Sequence, residues 1–109
     1  MATQTRLLRA DLEALGANIT RWRKVRELTA QMVADRAGIT RATLRSIEHG
    51  EGSARLENVV AVMRVLGFSD LVITATDPLT TDIGRARADW LLPQRVKPPT
   101  SPRRQIDDA

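Results

Sequence analysis

The chain has no cysteine, no tyrosine, one phenylalanine and one histidine among its 109 residues. Without cysteine there is no disulfide framework and no thiolate metal site, which fits a reducing compartment. The lone histidine, His49, has no second histidine or cysteine to share a metal with, so no metal site is expected. Aromatic residues make up only 3% of the sequence. The core must then come from Leu, Ile, Val, Met and Ala, a palette that suits helices better than a sheet sandwich. No apolar run approaches the roughly 18 residues that a membrane span needs, and no signal peptide opens the chain. A cytoplasmic location with no membrane partner is the expectation. Paired carboxylates in a cleft pattern, a nucleophile motif and a phosphate-binding glycine loop are missing as well, so neither an enzyme nor a cofactor is expected.

What is present is charge and helical periodicity. Charged residues make up 28% of the chain and hydrophobic residues 42%, with a net charge of +4 and a pI near 10.9. The excess is uneven: residues 1–50 carry +4, residues 51–80 carry −2 and residues 81–109 carry +2. A basic balance favours nucleic acid or an acidic protein as partner.

Leu8, Leu12, Leu15, Ile19 and Trp22 recur at alternating steps of four and three, which makes one face of a helix over residues 5–28. Gly16 weakens its middle and Asp11 offers a cap for a shorter version, so the spacing allows one helix or two. Thr29 caps the next segment, with Met32, Val33 and Ala37 facing inward and Gly38 closing it. Thr40 caps a further short helix whose apolar face is Leu44 and Ile47, stopped by Gly50 and Gly52. Leu56, Val59, Val60, Met63 and Leu66 predict an amphipathic helix over 56–66, ended by Gly67. Ser69 is a cap for a short fifth helix through Leu71 and Ile73, although the run LVITA reads equally well as a strand. Thr-Ala-Thr-Asp-Pro at 74–78 is a break. A weak helical pattern with Ile83 and Trp90 follows over 82–92. From Pro93 the chain is basic and proline-rich, which predicts a disordered tail over 93–109.

The stretch ADRAGITRATLRSIEHG, residues 34–50, holds two short helices joined at a glycine: a helix-turn-helix, with the motif at about 29–49. Ala34 is small where the two helices approach. Val33, Ala37, Ile39, Leu44 and Ile47 are apolar plugs. That leaves Arg41, Ala42, Arg45, Ser46 and His49 on the outer face of the second helix, a surface suited to a DNA major groove. LGANITRWRKVRELT, MVADRAGITRATLRSIEHG and LENVVAVMRVLG together resemble the XRE, or Cro and phage-repressor, class of helix-turn-helix domain. The resemblance covers about half the chain. It implies an all-α, compact bundle of four to five helices over residues 1–76.

In that family the places of Arg23 and Glu48 hold a structural ion pair. Arg41, Ala42 and Ser46 match base-facing positions, Thr40, Thr43 and Arg45 flank them, and His49 matches a place where a polar residue meets the DNA backbone. Two departures concern phosphate contacts. Ala30 stands where a Gln often touches phosphate, leaving Gln31 as a displaced substitute. Ala54 and Arg55 replace the Pro-Ser that opens the fourth helix, so Ser53 becomes the alternative cap and Arg55 a rim cation. The resemblance further implies a bacterial, nucleoid-associated repressor.

A recognition helix of this size reads few base pairs, so a homodimer on a palindromic operator is expected. Its interface candidates are Leu71, Ile73, Ile83, Trp90 and Leu91. Residues 77–92 form the expected dimerisation or partner-binding extension. The segment DPLTTDIGRARADWLLPQRVKPP resembles small antitoxins similar to HipB, which bind a HipA-type kinase toxin and repress their own operon. A free-standing or phage-type regulator, or a protein inhibitor with vestigial DNA binding, are the alternatives.

Overall fold

The structure is a computed structural model describing residues 2–92; the tail expected over 93–109 lies outside the described residues. It is all helical among those residues, in the order α1 (Ala2–Val25), α2 (Ala30–Ala37), α3 (Arg41–Glu48), α4 (Leu56–Leu66), α5 (Ser69–Ala75), a 3-10 turn (Pro78–Thr80) and α6 (Asp82–Leu91). The chain divides into two compact units at residues 73 and 74, three residues ahead of the boundary expected at 76.

The local signals act where the sequence puts them. The Thr29 hydroxyl accepts from the Met32 amide at 3.1 Å and starts α2. The Thr40 hydroxyl accepts from the Thr43 amide at 3.0 Å and starts α3. Gly38 ends α2 at φ +74°, where a side chain would be strained. α4 begins without a side-chain cap. Arg55 stands at the cap position and makes no capping bond, while the Ser53 hydroxyl lies 3.1 Å from that of Ser46 instead.

The core of the first unit is Ile19, Val33, Ala34, Leu44, Ile47, Val62, Met63, Leu66 and Phe68, all buried. α2 packs on α3 and α4, and α1 on α3 and α4. Trp22 stacks on Phe68 with ring centroids 5.3 Å apart, and the Arg26 guanidinium sits 5.7 Å above the Trp22 ring. Arg26, itself exposed, thus covers the Trp22 ring, which packs against the core.

Several expectations are resolved or corrected. Of the one helix or two that the spacing allows, α1 is one, and its Gly16 lets the α3 backbone approach closely. A methyl there would stand 2.5 Å from the Glu48 carbonyl oxygen and 2.6 Å from that of Ile47, so the backbones of α1 and α3 touch at this point. Leu8 and Leu56 were expected on the core-facing stripes but are 60% and 76% exposed. At about 1.5 Å per residue α1 is roughly 36 Å long and overhangs the much shorter helices it packs on; Leu56 is the first residue of α4, at the edge of the bundle. Met63 and Leu66 of the expected stripe are buried, joined by Val62, which was not part of it. Met32 is exposed, its sulfur 3.4 Å from the Thr29 amide within the α2 cap. Residues 71–75 are helix, not strand. Ser69 is the first residue of α5, and the Phe68 carbonyl accepts its first bonds, from Leu71 and Val72.

In the second unit the Asp77 carboxylate accepts from the Leu79 amide at 2.9 Å, and the Thr81 hydroxyl accepts from the Gly84 amide at 2.9 Å. These caps set α6 against the 3-10 turn. Arg85 donates to the Leu79 carbonyl and to Asp82. No single helix among the described residues is long and apolar enough to cross a membrane. α4 and α5 pass only as a pair bent by 117°, and α4 is committed to the core.

Candidate nucleic-acid interface

α3 is the amphipathic centre of the site. Leu44 and Ile47 are buried and point into the core; Arg41, Ala42, Arg45 and His49 are exposed on the opposite face. Thr43 and Ser46 lie half-buried at its margin. This division follows from the 3.6-residue period: fixing 44 and 47 inward leaves 41, 42, 45 and 49 together outside.

Three contacts fix α3 against α1. The first is the Gly16 backbone approach. The second is the buried pair of plugs. The third is the ion pair at its C-terminal end: Arg23 Nε donates to Glu48 Oε2 at 2.7 Å and Nη2 donates to Oε1 at 3.0 Å. The fork is bidentate, with side-chain exposures of 17% and 11%. Arg23 Nη1 also reaches the Leu28 carbonyl at 3.4 Å, tying in the α1–α2 connection. The hydrogen bonds from Arg23 to Glu48 raise the guanidinium above its ordinary pKa, against the opposing effect of burial.

An open cleft of about 560 Å³ flanks one side of α3. Arg41, Arg45 and His49 line it together with Ala30 and Thr20. A shallower concavity of about 400 Å³ flanks the other side, lined by Ala42, Thr43, Ser46, Ser53, Arg55 and Asn58 among others. The exposed surface is thus a ridge with a basic cleft on one side and, on the other, a concavity in which Arg55 stands with Glu51. It offers guanidinium donors at Arg41 and Arg45 that make no side-chain bond or ion pair among the described residues. Such donors suit phosphate and the guanine edge.

The remaining residues expected at the site have specific surroundings. The Thr40 hydroxyl accepts from the Thr43 amide and donates to the Thr43 hydroxyl at 3.0 Å, so both its functions are used inside the cap. The His49 ring Nδ1 lies 2.8 Å from the Arg45 carbonyl, to which it donates, leaving Nε2 facing outward. Gln31 donates to Asp35 at 2.7 Å; Ala30, not Gln31, lines the cleft. Arg55 is exposed and lies 3.6 Å from Glu57, a loose surface pair. Thr20 and Asn58 were not anticipated. Asn58 lies one turn after Arg55 on α4, a spacing that could have pointed to it; Thr20, hidden in the first helix, carried no such signal.

The interface candidates Leu71, Ile73, Ile83, Trp90 and Leu91 are all exposed, Trp90 at 84%. The first two are on α5 and the last three on α6.

Among known proteins, residues 19–72 match the family model described as Helix-turn-helix. No curated protein and no solved structure matches the chain. The match spans the end of α1 through most of α5 and includes every residue of the ridge and its ion pair. The matched segment, just under half of the chain, is thus similar to helix-turn-helix domains, which bind DNA and regulate transcription.

Proposed function

We propose that the chain is a sequence-specific transcriptional repressor that binds a palindromic operator as a homodimer. The observation that carries this is the exposed face of α3, with Arg41 and Arg45 free to donate and the helix locked to α1 by the Arg23–Glu48 fork. A rigid ridge presents Arg41, Ala42 and Ser46 to base edges, while Arg55 and Thr43 meet the flanking backbone. One such ridge reads only a few base pairs, and a two-fold dimer supplies the second half-site. Footprinting on the DNA upstream of its own coding sequence tests the reading. Two protected inverted half-sites about one helical turn apart are expected. A single unpaired footprint, or none, would overturn the dimer-on-palindrome reading.

A second proposal concerns α6. Ile83, Trp90 and Leu91 stand exposed on one short helix, and Trp is enriched where interfaces concentrate their energy. This favours a protein partner for residues 77–92. With the resemblance to HipB-like antitoxins, we assign that partner to a HipA-type kinase toxin whose operon the pair regulates. Trp90→Ala should abolish capture of the toxin and leave the fold intact. Undiminished capture would return the chain to the alternative, a free-standing or phage-type regulator.

A further inference from the structure

We propose that His49 is a proton-gated phosphate contact: it bonds the DNA backbone when its imidazole is protonated and loses that bond when neutral. The inference rests on the DNA-binding reading and adds that affinity at that site depends on pH.

The ring's surroundings select one tautomer. Nδ1 lies 2.8 Å from the Arg45 carbonyl oxygen. A carbonyl only accepts, so the proton of the neutral ring sits on Nδ1. Titration therefore takes place at Nε2, which makes no hydrogen bond among the described residues. Neutral, Nε2 presents a lone pair, which a phosphate oxygen cannot bond. Protonated, it presents an N–H and a positive charge, and a charge-assisted bond to phosphate becomes available.

That charge has no anion of its own in the protein. His49 extends the exposed row of Arg41 and Arg45 at steps of four residues, along one face of α3. The charged groups lining the cleft with it are Arg23 of α1 and Arg41, Arg45 and Glu48 of α3, while α2 brings Ala30. Glu48 is already forked onto Arg23. In the loop that follows, Arg9 of α1 bonds the Gly50 and Glu51 carbonyls, and Glu51 lines the concavity on the other side of α3. The anion that meets protonated His49 thus comes from outside, and a DNA phosphate at the ridge supplies it. By linkage, phosphate then favours the proton and the proton favours phosphate, so affinity rises as pH falls.

Composition makes the effect assignable. His49 is the chain's one histidine and there is no cysteine. No other side chain in it ordinarily changes charge between about pH 5 and pH 8.

The test is an anisotropy titration of the full chain on two labelled duplexes, the region upstream of its own coding sequence and a scrambled version. At about pH 5.5 the parent should bind at least about fivefold more tightly than at about pH 8. Both duplexes should show this, because a phosphate contact carries no sequence information. The slope of log K against log salt should also steepen at the lower pH, by about 0.9 per ridge engaged. His49→Ala, which cannot donate, should stay at the parent's weaker level at both pH values. His49→Lys, charged throughout, should stay at the stronger level, and thermal melts check that both variants keep the fold. Equal affinity of the parent at the two pH values, or an undiminished pH dependence in His49→Ala, overturns the inference. A pH dependence confined to the upstream duplex overturns it too, by assigning His49 to a base edge. If the parent binds neither duplex at any pH, the DNA-binding reading fails with this one.

Discussion

At the residue scale, Arg23 and Arg41 carry the same charge and do different work. Arg23 is largely shielded and forked onto Glu48. Removing one partner of a buried pair strands the other, at about 3–5 kcal/mol; solvent recovers part of that at exposures of 17% and 11%, so Arg23→Ala should cost about 2–4 kcal/mol. For a domain of this size the melting temperature should fall by more than about 8 °C. An unchanged melt would show that the fork is ornamental. The Arg23 side of this stabilisation does not vary across ordinary pH. A pKa raised on folding gives stability that is complete below the ordinary arginine value and is lost only as pH climbs through the still higher folded value. Arg41 has no such partner. Arg41→Ala should leave the melt untouched, cost about 1–3 kcal/mol in binding and relax preference at one position per half-site. Equal loss on every DNA sequence would assign it to phosphate.

At the element scale, backbone propensity and packing make opposite predictions at Gly16. In an isolated helix Gly→Ala is worth up to about 1 kcal/mol. Here the added methyl meets two carbonyl oxygens at 2.5 and 2.6 Å, so Gly16→Ala should destabilise by about 1–3 kcal/mol and tilt α3 away from α1. A stabilised variant would mean that the close approach is not maintained in solution. The N-terminus of α4 offers the converse case. It has no side-chain cap, so Arg55→Asp should add about 1 kcal/mol of stability, and it should weaken DNA binding if the cation meets phosphate. Elements like these explain what the sequence could and could not disclose. α2, α3 and α4 were legible because each starts or stops at a residue with one structural use: Thr29, Thr40, Gly38, Gly67. The outer face of α3 was legible because two inward plugs determine it. Leu8, Leu56 and Met32 were misread because periodicity identifies a face but not how far the neighbouring helix extends along it. Gly16 was read as a weakness because a close backbone approach between α1 and α3 is a tertiary fact. The choice between strand and helix at 71–75 was open because a five-residue apolar run has no period to measure.

At the scale of the whole molecule, the chain joins a helix-turn-helix unit to a small second unit whose α6 exposes Trp90. Residues 1–50 carry a net +4, and Arg41 and Arg45 among them stand on the ridge of α3. Binding carried by phosphate neutralisation must weaken with salt, with a slope in log K against log salt near −0.9 per phosphate contacted. Sequence reading adds affinity that scrambled DNA does not receive. A mobility-shift titration of the full chain over a salt series, comparing the region upstream of its own coding sequence with a scrambled duplex of equal length, measures both terms at once. Steep salt dependence on both duplexes, with at least about 10³-fold preference for the upstream region at moderate salt, is the expected result; equal affinity for the two duplexes would contradict the assignment of α3 as a recognition helix.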